Sequence, residues 1–97
     1  MTSLETIVQK IRTLKPELVS RYYDRSIGLF GSVVRDDFVP SKSDVDIIVD
    51  FSRPVGIEFI DLAEFLEKNI DRKVDLVSSK GIKQKYYDQI SKEIIYV

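Results

Sequence analysis

The chain has 97 residues, 43% of them apolar and 32% charged, and folding a chain this size hides roughly two-thirds of its unfolded surface, enough for one core, so residues 1–97 are expected to form a single small domain with no second substrate-binding unit. Fifteen Lys plus Arg against sixteen Asp plus Glu leave a net charge of −1, so no global positive field draws nucleic acid or an anionic membrane. Cys and His are both absent, which removes thiol nucleophiles, disulfides, Cys/His zinc sites and imidazole-based triads.

Leu4, Ile7, Val8, Ile11 and Leu14 recur at helical spacing until Pro16 interrupts them. This predicts an amphipathic helix over residues 3–14, with a short second turn over Glu17 to Tyr22. The apolar run Ser26-Ile-Gly-Leu-Phe30 stops at Gly31-Ser32, as a buried strand does at a tight turn, and Ser32 is placed to cap a brief helix through Arg35 and Asp37. Val39 to Ser43 reads as loop. Asp44-Val-Asp-Ile-Ile-Val-Asp-Phe51 is rich in β-branched residues and alternates at its start, which predicts a central strand. Phe59, Leu62, Ala63, Phe65, Leu66 and Ile70 form a helical apolar stripe. A third strand follows at Lys73 to Val77, then a helix with Ile82, Tyr86 and Ile90 on one face, and Ile94 to Val97 as an edge strand. Lys80, Lys83, Lys85 and Lys92 read as a solvated face. One tyrosine of each pair, Tyr22-Tyr23 and Tyr86-Tyr87, is expected to pack inward. Met1 to Glu5 lacks a basic segment leading into an apolar stretch, so neither a signal peptide nor a membrane span is expected and the chain is placed in the cytoplasm. The alternation of helices and strands predicts an α+β domain: a mixed sheet of three to four strands with helices packed on it.

With imidazole and thiol gone, the chemistry falls to carboxylates, hydroxyls, Lys, Arg and backbone. Asp44 and Asp46 are two residues apart, so their side chains leave one face of a strand about 7 Å apart along the backbone. The helical connection to the third strand is the usual crossover between parallel neighbours. Asp46 and Asp75 each stand third in their strands, so pairing them needs no register shift, and three carboxylates can gather. Their mutual repulsion favours a divalent cation, and hard oxygen donors favour magnesium or manganese. If the first strand runs antiparallel to the second, its Gly31-Ser32 turn joins the same place. Backbone N–H groups and the Ser32 hydroxyl can then meet a phosphate, and Arg35 can supply a fork to its oxygens.

Phe30-Gly-Ser32, Arg35 and Ser43-Asp-Val-Asp46, followed by Lys73-Val-Asp-Leu-Val77, resemble the signature of the minimal nucleotidyltransferases of the DNA polymerase beta superfamily. The resemblance runs from about Ile27 to the C-terminus. It implies that Asp44 and Asp46 are catalytic metal ligands for Mg2+ or Mn2+, that Asp75 is the third, and that Gly31 and Ser32 grip the triphosphate, with Arg35 and Ser43 also in the nucleotide site. Two departures stand out: the spacing between Ser32 and Asp44 is one residue longer than the pattern, and Asp36-Asp37 follow Arg35 where a glycine is frequent. The implied activity is transfer of a nucleoside monophosphate, AMP from ATP, to a hydroxyl of a partner protein. The implied partner is a helical HEPN-type toxin, with this chain as antitoxin in a hetero-oligomer. The alternative is a catalytically silent subunit that binds nucleotide or partner and neutralises by contact alone.

Overall fold

Val45, Ile47, Val49 and Phe51 leave the backbone on one side, and Asp46, Ile48 and Asp50 on the other, because side chains alternate along an extended chain. The computed structural model, which describes residues 3–35 and 43–97, is built around this segment. Its elements, in chain order, are α1 (Ser3–Tyr22), β1 (Asp24–Phe30), a 3-10 turn (Gly31–Val33), β2 (Val45–Phe51), α2 (Ile57–Ile70), β3 (Val74–Ser78), α3 (Gln84–Ile90) and β4 (Ile95–Tyr96). The sheet order is β3-β2-β1-β4. β2 and β3 are parallel, joined through α2, whereas β1 runs antiparallel to both β2 and β4. The result is the expected mixed sheet with helices, at four strands.

One face of the sheet carries the larger core. Ile27, Leu29, Val45, Ile47, Val49, Phe51 and Leu76 meet Ile7, Ile11 and Leu18 of α1 and Leu62, Leu66 and Ile70 of α2. Each fully buried Leu or Ile among them contributes about 1.5–3 kcal/mol relative to exposure. On the other face, Phe30, Ile48 and Ile90 form a smaller cluster with Val77, Ile82, Tyr87 and Ile94. The C-terminal segment therefore covers the side through which Asp46 emerges.

Several local expectations are corrected. The helix does not end before Pro16: α1 runs unbroken through it. Proline inside a helix costs about 3 kcal/mol. Here both Pro16 and Arg12, whose carbonyl loses its donor, are exposed, and the continued helix buries Leu18 and Tyr22. Ser32 is not a cap; Phe30 holds that position and Ser32 lies inside the turn, with no side-chain capping bond. Asp44 precedes β2, Lys73 precedes β3 and Ile82 precedes α3. The loop expected from Val39, together with Asp36 and Asp37, lies outside the described residues, apart from Ser43. Tyr22 packs inward on Phe65, with ring centroids 5.2 Å apart, and Tyr87 joins the smaller cluster. Lys80, Lys83, Lys85 and Lys92 are exposed. Among the described residues, no helix is long and apolar enough to cross a membrane.

Candidate active site

Parallel pairing brings the starts of β2 and β3 together, and Asp46 stands in register beside Asp75. Side chains at equivalent positions of paired strands share a face, so both carboxylates emerge toward the α3 side. Antiparallel pairing of β1 with β2 places Phe30 opposite Asp46, which delivers the turn beginning at Gly31 to the same end of the sheet. Asp44 sits one residue before β2 and is exposed, as is Asp75. Ser43 and Ser32 are half-buried, and Arg35 is exposed.

Gly31 is required by this packing. Its φ is +74°, a conformation that L side chains rarely adopt, and a Cβ there would lie 2.0 Å from Asp46 Oδ2. The missing side chain is the space that the carboxylate fills. The turn and the carboxylate are thus one packing unit.

Asp46 carries the electrostatic mark of the site. Burial pushes its carboxyl up from the ordinary 3.8 to about 6, Asp75 and then Asp44 push in the same direction, Arg35 pulls it down, and Glu93 adds a further upward push. Like charges held near a half-buried carboxylate favour its proton. Two of the three expected carboxylates are in strand register, and the third is near enough to act on the central one. Among the described residues, however, no group of three or more acidic side chains is gathered tightly enough to hold a metal ion.

The sequence reading missed Glu93. It follows α3, and its Oε1 accepts the Gly31 N–H at 3.1 Å. The Arg35 Nη1 group donates to the same carboxylate at 3.3 and 3.2 Å. Nothing in a lone glutamate 62 positions from Gly31 signals this. Tyr86, expected on the apolar face of the last helix, is 43% exposed. Its ring meets Phe30 edge-on at 6.4 Å, and burial, followed by Asp46, Asp75 and Glu93, raises its phenol pKa. An aromatic ring thus borders the carboxylates. The fully buried carboxylate, Asp24, pairs with Phe51 near the far end of β1, away from this site.

Hard oxygen donors beside a glycine bend with an adjacent guanidinium can bind a polyphosphate and its counter-cation, and known proteins resemble the chain accordingly. A family model described as "Nucleotidyltransferase domain" matches residues 11–97. The "Protein adenylyltransferase MntA" of Thermococcus cleftensis is 40% identical over 98 residues, covering 100% of this chain and 98% of the relative. A solved structure provisionally named a minimal nucleotidyltransferase superposes with a TM-score of 0.78 at 29% identity, over 98% of this chain and 95% of the other. A toxin–antitoxin crystal structure with AMP-PNP superposes with a TM-score of 0.75 at 26% identity, over 91% of this chain and 69% of the other.

Proposed function

Because the chain belongs to the nucleotidyltransferase domain family, we propose that it transfers AMP from ATP to a hydroxyl of a HEPN-type partner protein and serves as the antitoxin of that pair. The observation that carries this reading is Asp46: a half-buried carboxylate in register with Asp75, pressed toward its neutral form by burial and then by its acidic neighbours, and seated in the space left by Gly31. The adenylyltransferase name of the T. cleftensis relative supports the reaction, and the AMP-PNP complex supports the nucleotide class. The HEPN identity of the partner comes from the family resemblance.

Asp44, Asp46 and Asp75 are the residues that would hold magnesium or manganese, with their carboxylates drawn closer together than the structure has them. Their oxygen donors suit hard cations, and a cation relieves the repulsion from Asp75 and Asp44 that adds to burial in raising the Asp46 pKa. When bound, such ions supply charge neutralisation at the attacking and leaving oxygens. The chain's own residues do the rest. Asp75, exposed at the strand end, receives the acceptor hydroxyl and its proton as that oxygen bonds to the α-phosphorus. The bond from the α-phosphorus to the bridging oxygen then breaks, and pyrophosphate leaves. Ser32, Ser43 and the Gly31 turn orient the β- and γ-phosphates, and Arg35 offsets their charge. Positioning of this kind supplies most of the catalysis in phosphoryl transfer.

Incubation with labelled ATP, magnesium and the protein encoded by the neighbouring gene should place label on that partner, and chelation of the metal should remove it. Tight partner binding without label under any nucleoside triphosphate would instead support neutralisation by contact alone.

A further inference from the structure

Glu93 occupies two donors that the proposed reaction assigns to phosphate. Its Oε1 is 3.1 Å from the Gly31 amide nitrogen, and both its oxygens lie within 3.3 Å of Arg35 Nη1. A carboxylate and a phosphate oxygen are interchangeable partners for such groups, since both are anionic acceptors drawn to N–H donors and guanidinium. One N–H cannot serve both at full strength, and two anions sharing the same donors repel. We infer that Glu93 is a built-in occupant of the phosphate seat, displaced by the polyphosphate of the incoming nucleotide and returning as pyrophosphate leaves. This rests on the nucleotidyltransferase reading above.

The structure gives Glu93 room to leave. Its side chain is 25% exposed, and Arg35, its ion-pair partner, is 56% exposed, so a rotation about side-chain bonds releases the contact. The backbone stays anchored: the Glu93 N–H donates to the Ile90 carbonyl at 2.9 Å, and Ile95 beyond it pairs with Leu29 of β1. Displacement therefore needs no unfolding of the C-terminal segment. While it is in place, the carboxylate holds the turn and the guanidinium ordered and matches their charge. Once phosphate takes the seat, Glu93 becomes an added negative charge beside the product, which favours release of pyrophosphate.

Inorganic pyrophosphate is the direct probe, with adenosine as a ligand that lacks phosphate. Glu93→Gln keeps the size of the side chain and removes the competing charge. The full chain carrying Glu93→Gln should bind pyrophosphate about two- to fivefold more tightly than the unaltered chain, the range expected for a solvent-exposed ion pair, and adenosine equally well. Pyrophosphate should also inhibit transfer more strongly in the variant. In the unaltered chain, the Gly31 amide resonance should shift as pyrophosphate is added, a readout that does not depend on any variant folding. Equal or weaker pyrophosphate binding by Glu93→Gln, or an unmoved Gly31 resonance, overturns this inference and leaves the proposed function standing. A chain that binds neither pyrophosphate nor ATP overturns both.

Discussion

Replacing Asp46 by Asn should abolish transfer and, in the absence of divalent ions, make the fold more stable at neutral pH. Loss of one charged group at the centre of the site is expected to lower transfer by at least about 10²–10³-fold. The gain in stability follows from linkage. Asp46 titrates at about 6 in the folded chain against an ordinary 3.8, so its folded-state pKa is raised. A raised carboxyl contributes stability that is full below about pH 4 and is lost as pH rises through about 6. Asn has no proton to lose, so the difference appears above that window. The shift corresponds to an upper bound of about 3 kcal/mol at 1.36 kcal/mol per unit. Solvent screening of a half-buried group reduces it to about 1–2 kcal/mol, or several degrees in Tm for a chain this size. Thermal unfolding of both proteins between pH 4 and 8 measures it: the curves should diverge as pH rises. A variant that is less stable than the parent at pH 7 would show that the charged form of Asp46 is held by favourable partners rather than disfavoured by burial and like charges.

Gly31→Ala should be strongly destabilising and should lower transfer. A left-handed backbone costs a non-glycine residue about 1–2 kcal/mol. The new Cβ would also lie 2.0 Å from Asp46 Oδ2 and 3.3 Å from Asp46 Cβ, and relieving such overpacking typically costs about 1–3 kcal/mol. The total is about 2–5 kcal/mol, and transfer should fall with it because the carboxylate must move. A double-mutant cycle separates the two causes. In an Asp46→Ala background the backbone term persists while most of the overlap disappears, so Gly31→Ala should cost about 1 kcal/mol less there. Denaturant unfolding of the four proteins checks this. Identical costs in both backgrounds would mean that strain alone makes the glycine necessary.

Much of this site was readable from local pattern. The spacing of Asp44 and Asp46, the helical connection between the two strands, and the matching places of Asp46 and Asp75 implied a parallel, in-register pair, and that is the pairing observed. The antiparallel return of the first strand followed from the need to bring Gly31 to the same end, and it is also found. These features depend on period and connection, which a sequence carries directly. What it hid depends on contacts between distant segments. Pro16 reads as a break because proline costs a helix locally, yet burial of Leu18 and Tyr22 outweighs that cost. Ser32 reads as a cap because of its residue type, but the turn starts two residues earlier than a cap there would require. Glu93 carries no local signal in the sequence, and only the docking of the last segment on β1 reveals its bonds to Gly31 and Arg35. Gly31 itself reads as a turn former, whereas its closest constraint is a carboxylate on the neighbouring strand.

The most direct measurement of the central claim, that Asp75 acts with Asp44 and Asp46 as one cation-dependent nucleotide site, is calorimetric titration of ATP with and without manganese. The unaltered chain should bind ATP more tightly when manganese is present, and Asp75→Asn should lose that gain while keeping its fold. ATP binding that is equal with and without the metal, or a gain that survives unchanged in Asp75→Asn, would contradict it.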